Sequence, residues 1–250
     1  MPFTFNRMDV LSDKNYIPQV AIDCVIFGYE NRQLKVLLSK LAFMGDFYAL
    51  HSGFVKQEEN LDDAAKRILE DRTGFKDIYL QQFKVFGKAD NKRKQFLDSL
   101  IKSNYSEDQK FLRETNNSNA YNWFTKRFIS IGYYALVDMK RVSPKLTQFD
   151  VSIDWYPIQE VPEMIMHYNE VFTDALEALR ADIDHKFNAF NLLPEKFTMK
   201  EVQQIYETIF EKEFTRSNFQ KKILDMGVLE RLEKKLTGAK NKAPYLYRLK

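Results

Sequence analysis

A loop followed by an amphipathic helix, between Gly53 and Gly74, restricts the fold of this chain more than any other feature. Apolar residues recur there at steps of three and four, which predicts a helix with one buried face. They are Leu61, Ala64, Ala65, Ile68 and Leu69. Gly74 follows as a helix stop. A loop–helix unit of this kind, set between β-rich runs, predicts a domain in which helices pack on a sheet.

The β-rich runs lie on both sides of this unit. Residues 19–40 contain two such runs around a turn-like cluster, which predicts a hairpin. Residues 47–50 predict a short strand that enters a loop at 51–53. Aromatic and branched residues predict two further strands, at 78–86 and 128–137.

The segment from residue 91 to residue 125 separates the last two of these strands. It carries many charges and a polar tract, and its apolar residues near Phe96 predict only a short helix. A long stretch of this composition inside a compact domain is typical of an insertion. We therefore expect a surface insertion that is partly mobile.

The composition is that of a soluble globular protein. Of the 250 residues, 44% are hydrophobic and 29% are charged, which allows one large core or two smaller ones. The only cysteine, Cys24, lies in an apolar run, so we interpret it as a buried strand residue in a chain without intramolecular disulfides. The N-terminal residues lack the pattern of a signal peptide, and no apolar run reaches the roughly 18 residues that span a bilayer. These features predict a cytoplasmic protein that does not bind membranes.

Charge is distributed unevenly along the chain. Residues 191–250 contain 13 Lys and Arg and 8 Asp and Glu, a net charge of +5. Because the whole chain carries +3, residues 1–190 carry −2. A basic module of this kind is typical of proteins that bind nucleic acid phosphates, although a solvated basic surface has the same composition.

Two helices with a short turn between them are predicted in the basic module. Thr198 and Glu201 form a capping box at the start of the first helix. Thr215 can cap the second helix, and Gly227 ends it. Helix, turn and helix with a polar outer face is the plan of a helix-turn-helix, whose second helix enters the major groove of DNA. The inward residues of that helix are Phe219, Ile223 and Met226, and its outward residues are Ser217, Asn218, Lys221 and Lys222.

A β-ribbon with a basic tip is predicted after the second helix. The tip contains Lys240 and Lys242 and leads into the aromatic segment 244–248. Such a ribbon can serve as a wing that reaches the backbone or the minor groove of DNA. We therefore predict that DNA is bound by these two lysines together with the outward residues of the second helix. A helical subdomain used only for dimerisation is the alternative interpretation.

The loop–helix unit resembles the Nudix box, a motif of glycine, glutamate, arginine and apolar residues at fixed spacing. The matching residues are Gly53, Glu59, Arg67, Leu69, Gly74 and Phe75. The resemblance implies an α/β/α sandwich with a mixed sheet, in which three carboxylates of the helix hold Mg²⁺ against a nucleoside diphosphate. In this sequence those three positions are Ile68, Asp71 and Arg72.

Two of the three carboxylate positions have lost their metal-binding chemistry. Ile68 has no ligand atom, and the guanidinium of Arg72 repels a divalent cation. Asp71 alone keeps a carboxylate, on a shorter side chain. We therefore predict that the chain has no metal, no cofactor and no catalytic residue, and that it is not an enzyme.

The resemblance extends beyond the box to nearly the whole chain except the segment 91–125. The order of the box, the segment 155–167, the helix containing 175–180 and the segments 189–198 and 218–224 is similar to that of the NrtR family of Nudix-related transcriptional regulators. Membership implies a homodimer with a winged helix-turn-helix on each subunit, and repression of sugar-catabolism or NAD-metabolism genes. It implies release from DNA when ADP-ribose, or in some branches a sugar such as arabinose, fills the Nudix-like domain. A twofold dimer predicts an approximately palindromic operator in double-stranded DNA.

These observations predict an α+β chain with three parts. Residues 1–165 are expected to form the Nudix-like effector-binding domain, 166–190 a connecting helix, and 191–250 the winged helix-turn-helix domain. Effector-binding residues are expected in the loops and strand ends around the box: Lys40, Phe54, Glu59, Arg67 and Arg127. Arg67 also has a structural interpretation, as the partner of a carboxylate near the box, and His167 is a candidate hinge contact.

Two other functions compete with a DNA-binding regulator that responds to an effector. A working hydrolase of ADP-ribose or another nucleotide sugar would need Glu59, Glu70 and Asp71 to hold the metal, and Mg²⁺-dependent turnover would reveal it. A protein-interaction module would show no salt-sensitive affinity for duplex DNA. The regulator is the leading prediction because it explains the altered box and the basic module together.

Overall fold

The computed structural model describes residues 12–74, 76, 79–90, 92–105, 118–186, 190, 192–235 and 243–250. Its strands are β1 (Tyr16–Glu30), β2 (Gln33–Leu41), β3 (Tyr48–Ala49), β4 (His51–Lys56), β5 (Leu80–Phe86), β6 (Ile129–Asp138), β7 (Asp150–Pro157), β8 (Phe197–Thr198), β9 (Leu229–Lys234) and β10 (Tyr245–Leu249). Its helices are α1 (Leu61–Thr73), α2 (Lys92–Tyr105), α3 (Asn119–Phe124), α4 (Tyr168–Lys186), α5 (Met199–Phe210) and α6 (Arg216–Asp225). Within this part of the chain, every helix is too short or too polar to span a bilayer.

A seven-stranded mixed sheet forms the centre of the N-terminal part. β1 pairs in parallel with β6 and antiparallel with β2 and β4, and the order β3-β2-β1-β6-β5 is completed by β7 beside β2. The predicted hairpin of β1 and β2 is confirmed. Asn31 and Arg32 at its turn both have positive φ angles, of 50° and 61°, as a two-residue type I′ turn requires.

Alternate residues of β1 face two different helical layers. Ile22 and Cys24 pack against α1, whereas Val25 and Phe27 lie in the cluster that contains the buried face of α4. The helix α1 ends at Gly74, whose positive φ of 71° allows the left-handed cap. One helical layer on each face of a mixed sheet is an α/β/α sandwich, so the predicted α+β fold is confirmed. The helix predicted as a connector therefore also supplies the second layer.

Several local predictions differ from the structure. Residues 51–53, predicted as a loop, are the first half of strand β4, because their backbone pairs with β1. Strand β7 had no clear sequence signal. The described parts of the segment 91–125 are packed rather than superficial, since α2 and α3 share a core cluster and Trp123 packs on Phe128. The charged side chains of α2 are exposed or half-buried, apart from Arg93, which is buried. The expectation of partial mobility covered the whole segment 91–125, of which residues 91 and 106–117 lie outside the described residues.

The C-terminal part consists of α5, α6 and the small sheet β8-β10-β9. The predicted capping box is confirmed, because the Thr198 side chain accepts from the Glu201 backbone and the Glu201 carboxylate accepts from the Thr198 backbone. Phe219 and Ile223 anchor α6 in the core. The helix-turn-helix and the ribbon are thus as predicted, whereas Lys240 and Lys242 at the wing tip lie outside the described residues.

Candidate functional site

The first altered position of the box is part of the core. Ile68 is 4% exposed, and its side chain covers Gly53 so closely that a Cβ there would lie 2.7 Å from Ile68 Cδ1. A glutamate at position 68 would place its stem in this apolar contact. The glycine of the box and the isoleucine that replaces a carboxylate therefore fit each other by shape.

The second altered position, Arg72, is held by a carboxylate from a distant strand. Its Nη1 and Nη2 donate to the two oxygens of Asp150 over 2.9 and 3.1 Å, and Nη2 also donates to Ser39 Oγ. Side-chain exposures of 13% and 2% make this a largely buried, bidentate pair. Burial raises the pKa of Asp150, but the bonds from Arg72 and Thr147 outweigh it and hold that pKa below its ordinary value. The charge that would repel a metal is thus neutralised within the protein.

His51 completes the surroundings of Arg72. Its Nδ1 accepts from Arg72 Nε over 3.2 Å, and the residue is 1% exposed. Burial and the neighbouring Arg72 lower the pKa of His51 to about 3. The imidazole is therefore neutral near pH 7 and can serve as an acceptor for the guanidinium.

The carboxylates that a hydrolase would need are not gathered at one point. Both oxygens of Glu59 accept from Arg67, over 2.6 and 2.8 Å, and Arg67 also donates to the Phe54 carbonyl. The side chain of Asp71 is 67% exposed, and Glu70 pairs with Lys76. Among the described residues, no group of three or more His, Cys, Asp or Glu is arranged to hold a metal ion. The geometry favours the structural interpretation of Arg67.

A cavity lies on the opposite face of the sheet, beside α4. It is enclosed by the segment from the end of β5 to the start of α2, by the turn from α3 to β6, and by the start of α4. We call it the α4-side cavity. Its charged lining residues are Lys88, Asp90, Lys92, Arg93, Lys126, Arg127 and Glu170, and its other polar or aromatic side chains include Phe86, Thr125, Phe128, Ser130 and His167.

Buried polar groups surround the floor of the α4-side cavity. His167 Nε2 lies 3.1 Å from Asp23 Oδ2, and Tyr168 donates to Ser52 Oγ over 3.0 Å. Asp23 is fully buried, and its other oxygen has no hydrogen-bond partner in the described part of the chain. Arg93 is 7% exposed and packs on the Phe128 ring, with its Nη2 likewise unpartnered among the described atoms. Such groups are uncommon in folded proteins, where a water, an ion or a ligand usually satisfies them.

The structure brings only part of the predicted effector set together. Arg127 lines the α4-side cavity and donates to the Gly87 carbonyl, and Phe54 packs on Phe128 next to it. Glu59 and Arg67 bind each other near the box. Lys40 pairs with Asp46 at the edge of the sheet formed by β2 and β3.

Sequence reasoning missed Asp23 and Arg93 and interpreted His167 only as a hinge contact. One signal was present, because Asp23 is a charged residue inside an apolar run, where a carboxylate is expensive to bury. Arg93 gave no signal among the many charges of its segment.

The predicted DNA-binding residues of α6 do not all share one environment. Ser217, Asn218 and Lys221 are exposed on the outer side of the helix. Lys222 instead turns towards α4, where its Nζ lies 2.6 Å from Asp184 and 5.6 Å from the centre of the Tyr206 ring. Other basic and amide side chains line a groove between α5, α6 and the wing, and the sequence analysis did not single them out: Lys200, Gln203, Arg216, Gln220 and Lys234.

Comparison with known proteins matches the C-terminal part of the chain to a family model and nearly the whole chain to a curated relative. Residues 189–249 match the family model described as the NrtR DNA-binding winged helix domain. Over 237 residues the chain is 23% identical to the ADPR responsive transcriptional repressor NtrR of Acinetobacter baylyi, a match that covers 92% of this chain and 82% of that protein.

Solved structures have a similar fold over nearly the whole chain. The fold is similar to that of Shewanella oneidensis NrtR, with a TM-score of 0.64, 20% identity, and coverage of 93% of this chain and 94% of the other. The same Shewanella protein complexed with a 27mer DNA has a TM-score of 0.61. A MutT/nudix family protein from Enterococcus faecalis has a TM-score of 0.65 at 14% identity, with both chains fully covered.

The fold and these comparisons therefore define a class of protein, a Nudix-like domain followed by a DNA-binding winged helix domain. Within that class the chain has the NrtR-type architecture, and the prediction of this architecture is confirmed.

Proposed function

We propose that this protein is a transcriptional repressor that binds double-stranded DNA through α6 and the wing and leaves it when a small effector fills the Nudix-like domain. One observation carries the proposal: the exposed polar face of α6 belongs to a winged helix domain of the NrtR type. The curated relative is described as an ADPR responsive transcriptional repressor, and the Shewanella relative has been crystallised with DNA. Genes of sugar catabolism or NAD metabolism are the targets we infer.

ADP-ribose, or a sugar, is the effector we infer, and the domain that binds it acts without hydrolysis. The ADPR responsive relative supports the choice of ADP-ribose. Ile68 in the core and the Arg72–Asp150 pair support the loss of catalysis, because both occupy positions at which a Nudix enzyme needs carboxylates. We also infer a homodimer that acts in the cytoplasm on a palindromic operator, since two α6 helices about 34 Å apart would read successive turns of the duplex.

Salt-dependent DNA binding tests the interface. Duplexes selected from a random pool by the wild-type protein serve as the specific probe, and a scrambled duplex as the non-specific one. Lys221→Ala is expected to weaken binding to both duplexes and to lower the salt slope by about one unit for each subunit. Asn218→Ala is expected to relax the preference at one base position and to cost roughly 1 to 3 kcal/mol for each half-site.

The matched control for Lys221→Ala is Lys66→Ala, which removes an exposed helix lysine from the sandwich. It is expected to leave both affinity and salt slope unchanged. Unchanged binding in the Lys221→Ala and Asn218→Ala proteins would contradict the interface and favour a module used only for dimerisation.

Turnover separates the regulator from the hydrolase. Purified protein with Mg²⁺ and ADP-ribose is expected to release no AMP, while ADP-ribose lowers the affinity for the selected duplex. Turnover in the usual enzyme range of about 1 to 1,000 per second would overturn the non-catalytic part of the proposal.

A further inference from the structure

The α4-side cavity has a surplus of positive charge. Among the charged residues that line it, five are cationic and two are anionic. One of the anions, Glu170, already pairs with Lys88. The guanidinium of Arg93 is largely buried and rests on the faces of Phe128 and Phe124, at 4.2 and 5.4 Å from the ring centres, rather than on a carboxylate. A buried guanidinium without a described anionic partner fits the planar, bidentate recognition of a phosphate.

The start of α2 reinforces this preference for an anion. Lys92 and Arg93 are its first two residues, and the helix runs on for 14 residues. The backbone N–H groups at the start of a helix and the helix dipole both attract negative charge. The carboxylate of Asp90 already accepts from the Lys92 backbone N–H over 3.3 Å, so the helix end adds mainly its dipole to the charge of Arg93 at the wall of the cavity.

The floor of the α4-side cavity has a different chemistry. His167 and Ser130 line it, and the fully buried Asp23 lies behind His167 with one oxygen unpartnered among the described groups. Ser130 and Asp23 project from the same face of the sheet, since Ser130 is opposite Ala21 and Gly132 is opposite Asp23 in the β1–β6 register. An imidazole held by a buried carboxylate, together with a neighbouring hydroxyl, is the kind of site that binds sugar hydroxyls.

We propose that the effector binds in the α4-side cavity, on the sheet face opposite the box helix, and that it is a sugar carrying a phosphate group. Arg93 and Arg127 bind the phosphate, while Ser130 and His167 bind the sugar hydroxyls and Asp23, behind the imidazole, positions His167. This inference rests on the proposed effector response, which it deepens by naming the site and the ligand class. It moves the site away from Lys40, Glu59 and Arg67.

The position of this site gives the effector a direct connection to the DNA-binding helix. His167 and Glu170 stand at the start of α4 and line the cavity. Near the other end of α4, Asp184 pairs with Lys222 of α6. Arg180 donates to the Ile209 carbonyl of α5 and pairs with Glu211. A single helix of 19 residues, about 28 Å long, thus contacts both sites.

Thermal stability and calorimetric titration of the full chain test the ligand class. The probes are ADP-ribose, ribose 5-phosphate, ribose, arabinose and inorganic phosphate. The two phosphorylated sugars are expected to raise the melting temperature, and the neutral pentoses to bind at least tenfold more weakly than ribose 5-phosphate. Arabinose or ribose binding as tightly as ribose 5-phosphate would overturn the assignment of a phosphate.

Variants test the location. Arg93→Gln and Arg127→Gln, the latter at the rim of the cavity, are each expected to lower the affinity for ribose 5-phosphate by about tenfold or more. Arg127 is exposed, so its variant keeps the test valid even if Arg93→Gln unfolds, which the melting temperature without ligand reveals. Lys66→Gln on α1 is the control and is expected to bind normally. Loss of binding in Lys40→Gln together with normal binding in Arg127→Gln would overturn the location and return the site to the other region.

DNA binding distinguishes this inference from the proposed function. If ribose 5-phosphate or ADP-ribose binds and the arginine variants lower its affinity, the proposed location of the site is supported. If the same ligand then leaves the affinity for the selected duplex unchanged, the effector response fails while the site is retained. Release from DNA that survives in Arg127→Gln at the wild-type ligand concentration would overturn the site and leave the regulator intact.

Discussion

Two largely buried arginines, Arg72 and Arg93, lie on opposite sides of the central sheet. Arg72, next to the box, has both oxygens of Asp150, a serine and a neutral histidine as partners. Arg93, beside the α4-side cavity, rests on aromatic rings and leaves one nitrogen unpartnered among the described residues. Removing one partner of a buried ion pair is costly because the other charge is left unpaired, whereas a buried charge without a partner inside the protein is available to a ligand. In the region that resembles an enzyme site, the arginine therefore has its partners within the protein.

Removal of Arg72 is expected to have the largest effect on stability. Arg72→Met leaves Asp150 buried without its partner and should lower the free energy of unfolding by about 3 to 5 kcal/mol. Arg72→Glu, which restores the carboxylate of the box, should lower it further, because two carboxylates would then face each other. Urea unfolding followed by circular dichroism measures both. Arg93→Met is the matched control and should cost about 1 kcal/mol or less, and a loss equal to that of Arg72→Met would break the comparison.

Acid is expected to lower the free energy of unfolding through His51, the neutral partner of Arg72. The unfolded chain binds a proton at His51 below pH 6.5, whereas the native pKa is about 3, so stability falls as pH decreases between these values. Between pH 6.5 and 4.5 this loss should reach roughly 2 to 3 kcal/mol, at about 1.4 kcal/mol for each pH unit. His51→Gln should remove that part of the slope. If the free energy of unfolding of the wild type and of His51→Gln changed in parallel with pH, His51 would not be held neutral in the fold.

The Glu59–Arg67 pair is expected to contribute less, because it is closer to solvent. Glu59→Gln loses the charge of a two-bond contact and should lower the free energy of unfolding by about 1 to 2 kcal/mol without changing effector binding. Glu58→Gln, at the exposed neighbouring position, should change neither. Normal stability combined with lost effector binding in Glu59→Gln would make this residue a ligand contact, as the sequence analysis predicted.

The smallest effect on stability is expected from Asp23. In Asp23→Asn the amide can still bond to His167, and the cost of burying a carboxylate disappears, so the free energy of unfolding should change by about 1 kcal/mol or less. Binding of ribose 5-phosphate should nevertheless weaken. Denaturation and calorimetry on the same preparation measure the two effects. A loss of 3 kcal/mol or more would place Asp23 with Arg72 among the structural residues.

Local sequence determined the elements whose signals are carried by neighbouring residues. The apolar period of α1 and its glycine stop, the capping box of α5 and the buried face of α6 depend on residues three or four apart, and the structure has each of them. The same local information identified the altered box, because its spacing is fixed along one helix. Strand β7 and the packing of α2 and α3 were not predicted, because they are stabilised by residues that are distant along the chain.

Only the tertiary structure decided which charges are satisfied. Asp150, the partner of Arg72, is 78 residues away along the chain, and Asp23 and His167 are separated by 144 residues. Nothing in the local sequence distinguishes Arg72, which has an anionic partner in the fold, from Arg93, which has none among the described residues. The face of a sheet to which a side chain points depends on strand register, and its partners depend on which strands and helices cover that face. The sequence therefore located the Nudix-like box and a basic module, and the fold showed which distant residues partner the charges on each side of the sheet.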